Sequence, residues 1–134
     1  EQRAGGAALI KANAERLGVR PAAVLEANAI DLLRGELPAE IPADLQQPNR
    51  VVVGGGGRQR NTLLQLVLER LKPMGVVVVP LATVESLSGV RRLLEDANLM
   101  VRISQLQAWR GQPLSDGTRL VPMNPILMVS GTKP

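Results

Sequence analysis

Four consecutive glycines occupy residues 54–57, between the apolar residues 51–53 and a leucine-rich segment, and Arg58 follows them directly. Glycine has no Cβ, so a backbone built from it can adopt positive φ and lets a flat or charged ligand approach closely. In α/β sheets such turns lie at the carboxyl edge of the strands, where these folds bind ligands. The pattern therefore predicts a ligand-binding turn, although a flexible connection between a strand and a helix would have the same composition.

The side chains that could support catalysis are restricted, because the 134 residues include no histidine and no cysteine. Their absence removes imidazole acid–base chemistry, thiolate nucleophiles, disulfides and the usual zinc sites, so no metal site is expected. Catalysis must use carboxylates, amides, hydroxyls, arginine or a bound cosubstrate. Trp109 is the single aromatic residue, which leaves no platform for stacking bases and argues against nucleic acid as a partner.

The net charge of +4 arises mostly from arginines that are scattered along the chain. Scattered charge is typical of a solvated surface, part of which could face an anionic ligand. No apolar run approaches the roughly 18 residues that a membrane span needs, and no signal peptide precedes Glu1. We therefore expect one soluble, cytoplasmic domain over residues 1–134, without contact to a membrane.

Hydrophobic periodicity predicts helices at residues 6–17, 28–33, 61–71 and 83–97 and strands at residues 23–27, 50–53 and 76–79. The alternation of strand and helix implies right-handed crossovers and a mostly parallel sheet with helices on both faces. Two extended segments, 99–108 and 119–132, are joined by the turn-rich residues 110–117, which predicts an antiparallel hairpin that closes the sheet. The fold class is therefore α/β.

Six short segments carry a resemblance to a known family: residues 53–57 (VGGGG), 68–75 (LERLKPMG), 83–86 (TVES), 110–114 (RGQPL), 124–126 (NPI) and 130–134 (SGTKP). In this order, and over essentially the whole chain, they resemble the decarboxylating precorrin-6B methyltransferases of cobalamin biosynthesis. These are class I S-adenosylmethionine-dependent methyltransferases, so the resemblance implies a Rossmann-like sheet with a C-terminal antiparallel hairpin. The Leu-Lys-Pro-x-Gly motif is common to many methyltransferases, whereas its combination with the glycine run, Thr-x-Glu and Asn-Pro is specific.

The resemblance implies an enzyme that uses S-adenosylmethionine to methylate carbon 15 of precorrin-6B, or of its cobalt form, and releases the carbon-12 acetate as carbon dioxide. It also implies a homo-oligomer, since members of the family are commonly tetrameric. Two alternatives stay open: a class I methyltransferase with another small-molecule substrate, and a noncatalytic oligomerisation domain of the same fold. The family has aspartate where this chain has Asn28, and often asparagine where this chain has Pro80. These two departures leave room for the noncatalytic alternative.

Members of the family begin with a strand, a Gly-x-Gly turn and a helix, followed by a second strand that ends in an acidic residue. Glu1 resembles that acidic residue, whose carboxylate would accept hydrogen bonds from the ribose hydroxyls of the cosubstrate. The resemblance thus implies that the chain is truncated at its amino end. We accordingly expect these 134 residues alone to bind S-adenosylmethionine poorly.

Other cosubstrate contacts follow from the same comparison. The family's Gly-Asp-Ala adenine segment reads Ala-Asn-Ala here, so Asn28 and Ala29 are candidates. Asparagine keeps a carbonyl acceptor for the adenine amino group, but Asn28 could equally be no more than a helix cap. Gly54, Gly55, Gly56 and Gly57 match the family's glycine loop beside the cosubstrate and the macrocycle.

Candidate substrate contacts are Arg58, Thr83, Arg110 and Asn124, and the candidate catalytic residue is Glu85. Guanidinium groups suit the acetate and propionate groups of a tetrapyrrole, so Arg110 is the first choice as carboxylate anchor and Arg58 the second. Thr83 and Glu85 match the family's Thr-Leu-Glu. Glu85 could move a proton during decarboxylation, orient the substrate, or be an exposed first-turn carboxylate. Asn124 could bind substrate or stabilise a strand bulge.

Overall fold

The computed structural model describes residues 1–39, 41–42, 45–55 and 57–134. In chain order its helices and strands are α1 (Gly6–Leu17), α2 (Ala29–Arg34), β1 (Arg50–Val52), α3 (Arg60–Arg70), β2 (Val76–Leu81), α4 (Val84–Asp96), β3 (Met100–Leu106), β4 (Trp109–Leu114), β5 (Gly117–Pro122) and β6 (Ile126–Thr132), with a short 3-10 helix at Gly57–Gln59 before α3. Among the described residues, none of the helices is both long and apolar enough to cross a membrane.

Four strands form the central sheet in the order β1-β2-β6-β3. β1 and β2 are parallel, and β6 runs antiparallel to both of its neighbours, β2 and β3. Three of the four strands therefore point in one direction, with β6 inserted against them. This mixed sheet confirms the predicted α/β class and its mostly parallel character.

The core lies between one face of this sheet and the helices α3 and α4. β2 alternates between half-buried and buried residues, and the buried set, Val77, Val79 and Leu81, packs in one cluster with Leu64 of α3 and Leu94 of α4. We predicted helices on both faces of the sheet. The connections β1–α3–β2 and β2–α4–β3 both cross the sheet in the same direction, from β1 toward β3. Because such connections are right-handed, α3 and α4 lie on the same face.

The segment at residues 23–27, predicted as a strand, is assigned to neither helix nor strand and joins no sheet. Among the described residues its long-range backbone hydrogen bonds are to one residue: Glu1 N donates to Leu25 O at 3.0 Å, and Ala27 N donates to Glu1 O at 3.0 Å. Periodicity shows that a segment can be extended, whereas a strand also needs a partner of several residues. The prediction of a strand was therefore wrong for the described chain.

The C-terminal hairpin is more elaborate than predicted. β3 and β6 pair along their whole length within the central sheet, while β4 and β5 form a separate two-stranded sheet. The segment predicted as a long turn is mostly β4, and the turn itself is confined to Ser115 and Asp116. Gly111 and Pro113 suggested a turn, but proline is tolerated in an exposed edge strand.

Two basic side chains cap the C-terminal ends of helices. Arg70 Nη2 donates to the carbonyl oxygens of Leu33 at 2.9 Å and Gly35 at 3.1 Å, which ties α2 to α3. Lys133 Nζ donates to the carbonyl oxygens of Leu68 at 3.0 Å and Leu71 at 2.8 Å, at the end of α3. Cations in these positions satisfy carbonyls that lack partners within the helix and complement the helix dipole.

Replacement of Lys133 by methionine should lower the free energy of unfolding by about 1–2 kcal/mol, because two helix-end carbonyls lose their donor. Urea unfolding followed by circular dichroism would measure the change. Lys11→Met removes an ammonium group from the exposed surface of α1 and should leave stability within about 0.5 kcal/mol of the parent. Equal effects of the two substitutions would contradict a capping role for Lys133.

Candidate functional site

A cavity of about 1000 Å³ lies along β1, an edge strand of the sheet, and reaches the glycine turn at the carboxyl end of that strand. Its walls are the amino-terminal residues 1–3, the segment that enters α2, the inner side of α3 and the glycine turn. Apolar side chains, including Leu25, Ile30 and Leu63, make up part of the lining. A largely apolar cavity with a few polar groups is typical of small-molecule sites.

The glycine turn faces this cavity with free space above its backbone. Gly54, Gly55 and Gly57 all line the cavity, and a Cβ at any of them would meet no atom within 4 Å. Gly55 and Gly57 have φ of 131° and 47°, which L-residues rarely adopt. Gly56 lies outside the described residues. The turn is fixed from α3, since Arg60 Nε donates to Gly55 O at 3.1 Å.

Glu1 provides the carboxylate of the cavity. Arg3 binds both of its oxygens: the backbone N and Nε donate to Oε1, each at 3.0 Å, and Nη2 donates to Oε2 at 3.2 Å. These hydrogen bonds from the Arg3 side chain and backbone, together with the charge of Arg3, lower the pKa of Glu1 to about 2. The carboxylate is thus ionised at any pH above that range and can accept hydrogen bonds.

Asn28 is shown to be a helix cap. Its Oδ1 accepts a hydrogen bond from Ile30 N at 2.9 Å, which satisfies one of the free amides at the start of α2. Asn28 and Ala29 also line the cavity. The cap uses one of the two lone pairs of Oδ1, so the amide group still offers a ligand one acceptor position as well as its Nδ2 donor.

Of the described residues predicted to bind substrate or to act in catalysis, Arg58, Thr83, Glu85, Arg110 and Asn124 do not line this cavity. Thr83 caps α4: its Oγ1 accepts from Ser86 N at 3.2 Å and donates to Ser86 Oγ at 2.9 Å. Glu85 is exposed in the first turn of the same helix.

These five residues nevertheless occupy the same edge of the sheet as the cavity. Arg58 follows β1, and Thr83 and Glu85 follow β2. Arg110 follows β3, which runs parallel to those two strands, and Asn124 precedes β6, which runs against them. Carboxyl ends of parallel strands meet at one edge, and that edge is where α/β proteins bind ligands.

Sequence reasoning missed one residue that lines the cavity and one that holds the glycine turn. Arg3 binds the Glu1 carboxylate and lines the cavity, and Arg60 fixes the glycine turn. The signal for Arg3 was its position two residues after an acidic residue, close enough for a local ion pair. Arg60 has no distinguishing signal among the scattered arginines, because its partner is a backbone oxygen.

A mixed α/β sheet with a glycine-lined cavity at its carboxyl edge is the architecture of class I methyltransferases. A family model described as the precorrin methyltransferase domain matches residues 1–133. The chain belongs to this family, as the sequence motifs predicted.

Three known proteins show how far the likeness extends. A probable cobalt-precorrin-6B C(15)-methyltransferase (decarboxylating) of Pyrobaculum aerophilum is 33% identical over 123 residues, which cover 91% of this chain and 58% of that protein. The structure of precorrin 8W decarboxylase from Methanobacterium thermoautotrophicum matches with a TM-score of 0.81 at 25% identity, covering 98% of this chain and 66% of that one. Precorrin-6y C5,15-methyltransferase of Geobacter metallireducens matches with a TM-score of 0.77 at 26% identity, covering 94% and 62%. The chain thus spans less than two thirds of each of these proteins.

Proposed function

We propose that the protein is an S-adenosylmethionine-dependent methyltransferase that methylates carbon 15 of precorrin-6B, or of its cobalt form, and releases the carbon-12 acetate as carbon dioxide. Membership of the precorrin methyltransferase family supports this function, as do the activities for which its relatives are named. The observation that carries the proposal is the open glycine turn on a cavity of about 1000 Å³ at the carboxyl edge of the sheet.

The described lining of the cavity fits the adenosyl part of that cosubstrate. Glu1 offers an ionised carboxylate to the ribose, Asn28 offers an amide to the adenine, and apolar residues such as Leu25 offer surface to its ring. Gly54 and Gly55 present backbone without side chains, so a ligand can lie directly against the turn.

Methyl transfer from a sulfonium needs little acid–base help, which is consistent with a chain that has no histidine or cysteine. The cosubstrate supplies a methyl group that is already activated. The residues of the chain have to hold donor and acceptor carbon in line, and such alignment accounts for much of the rate enhancement in reactions of this kind.

In this proposal, the residues around the shared edge bind the tetrapyrrole. Arg110 and Arg58 would donate to its carboxylates, and Thr83 and Asn124 would contact it from the ends of β2 and β6. Glu85 would hold or move the proton that balances the loss of carbon dioxide. Its exposure at the start of α4 leaves it accessible to substrate.

A direct assay tests the proposal. The protein at its native length is incubated with S-adenosylmethionine and precorrin-6B, and the product is analysed by mass spectrometry. We expect the gain of one methyl group and the loss of one carbon dioxide. Gain of the methyl group without loss of carbon dioxide would contradict the decarboxylase activity. The absence of both changes would favour the noncatalytic alternative.

We also propose that the protein is a homo-oligomer, with a tetramer expected, and that the β4–β5 hairpin is its contact surface. Strand register places Trp109, Leu120 and Pro122 on one face of the hairpin and Arg110 and Arg119 on the other. Trp109 and Leu120 are 55% and 70% exposed, although a two-stranded sheet has no core of its own. Burial of this apolar face against other copies would stabilise it.

Leu120→Glu should therefore lower the oligomeric state, because it places a charge in the buried interface. Light scattering coupled to size-exclusion chromatography would report the mass. Leu17→Glu, at a leucine of α1 that is 75% exposed, is the matched control and should leave the mass unchanged. An unchanged mass for Leu120→Glu would place any interface elsewhere.

A further inference from the structure

The Glu1 carboxylate has few acceptor positions left for a ligand. An ionised carboxylate offers about four lone-pair positions on its two oxygens. Arg3 uses both on Oε1, through its backbone N and Nε, and one on Oε2, through Nη2. One acceptor position on Oε2 remains.

The surroundings of Glu1 hold the residue in place. Its backbone is hydrogen-bonded on both sides to the segment at residues 25–27. Its side chain lies over Gly6, where a Cβ would collide with the Glu1 side chain. The Glu1 side chain is 25% exposed and that of Arg3 is 81% exposed, so the carboxylate is the more enclosed partner of the pair.

We propose that Arg3 is a positioning residue for cosubstrate binding: it fixes the Glu1 carboxylate in one orientation and leaves a single acceptor, on Oε2, for one ribose hydroxyl. This inference rests on the proposed function. A planar guanidinium that donates to both oxygens is the geometry that fixes a carboxylate most firmly. Both residues line the cavity, which distinguishes this pair from an ordinary surface ion pair.

The lowered pKa of Glu1 makes the role of Arg3 visible in the pH dependence of binding. The ionisable side chains on the two paired segments, residues 1–3 and 25–27, are Glu1, Arg3 and Glu26. Arg3 makes the largest contribution to lowering the pKa of Glu1 from 4.5 to about 2. Without Arg3 the carboxylate would protonate as the pH falls through its ordinary range, and the acceptor for the ribose would be lost.

Calorimetric titration with S-adenosylhomocysteine, on the protein at its native length, tests the inference. At pH 7, Arg3→Met should weaken binding about tenfold, because the Glu1 carboxylate would no longer be held in place for its charge-assisted hydrogen bond with the ribose hydroxyl. Arg3→Lys should recover only part of the loss, since an ammonium lacks the planar fork. Arg20→Met removes an exposed guanidinium outside the cavity and should bind like the parent.

The pH profile and a double variant separate positioning from a structural effect. Between pH 6 and pH 4 the parent should keep its affinity and Arg3→Met should lose it. In a Glu1→Gln background, Arg3→Met should have no further effect. Unchanged or tighter binding by Arg3→Met, or additive losses in the double variant, would overturn the inference. Failure of the parent to bind S-adenosylhomocysteine would instead overturn the proposed function.

Discussion

Substitution of Gly54 by leucine should abolish cosubstrate binding and leave the fold intact. A side chain at this position would extend into open space on the cavity wall, where the proposed ligand lies. We expect a loss of at least about 100-fold in affinity for S-adenosylmethionine, equivalent to about 2.7 kcal/mol. The free energy of unfolding should change by less than about 0.5 kcal/mol, because Gly54 has no left-handed φ and no neighbour to displace.

Gly89→Leu is the matched control for this substitution. Gly89 is exposed on α4, a Cβ there would also meet nothing within 4 Å, and it does not line the cavity. The same side chain added there should leave binding unchanged. Calorimetric titration and thermal unfolding of both variants, made in the protein at its native length, would measure the two effects. Parental affinity in Gly54→Leu would show that the glycine turn does not contact the ligand.

Leu94→Ala should be the most destabilising of the single substitutions considered. Leu94 is fully buried and packs from α4 onto the sheet above Gly131, where a Cβ would lie 3.2 Å from its Cδ1. Truncation would leave a cavity over backbone that has no side chain to fill it. We expect a loss of about 3–4 kcal/mol in the free energy of unfolding, from the removed methyl groups and from the cavity.

Leu93→Ala provides the comparison within the same helix turn. Leu93 is half-buried at the margin of the same core, so its truncation should cost about 1 kcal/mol. Urea unfolding monitored by circular dichroism would measure both variants. A smaller loss for Leu94→Ala than for Leu93→Ala would contradict the position assigned to the core.

The parallel part of the fold was predictable because its signals are local and strong. The unbroken valine runs predicted strands at residues 50–53 and 76–79, and the structure has β1 at Arg50–Val52 and β2 at Val76–Leu81. The helix expected at residues 61–71 is α3, Arg60–Arg70. Apolar periodicity and strand-type residues are sufficient for such elements, since burial reinforces what the local sequence already prefers.

The pairing of extended segments could not be derived in the same way. Residues 23–27 have the composition of a strand, but strand formation depends on a partner that their own sequence does not specify. In β4, Gly111 and Pro113 are turn-forming residues that the hairpin accommodates because both of its edges are exposed. The first outcome depends on contacts distant in sequence, and the second depends on the exposure of the hairpin edges.

The candidate site also has some features that the local sequence predicts and others that it does not. The glycine turn and the cap at Asn28 follow from local conformational preferences, and the structure places both on one cavity. The engagement of Asn28 Oδ1 by Ile30 and the bidentate pair of Glu1 with Arg3 depend on atomic geometry that residue types do not reveal. The substrate and catalytic roles of Arg58, Thr83, Glu85, Arg110 and Asn124 stay predictions.

The insertion of β6 against its neighbours has an evolutionary consequence. It brings the start of one strand to the edge where three others finish, so four separate connections converge there while the packed layer of α3 and α4 lies to one side. Insertions and exchanges in those connections can alter which acceptor molecule is selected without disturbing the hydrophobic interior. Ligand specificity can therefore change in the connections, while the packed helices and strands preserve the fold.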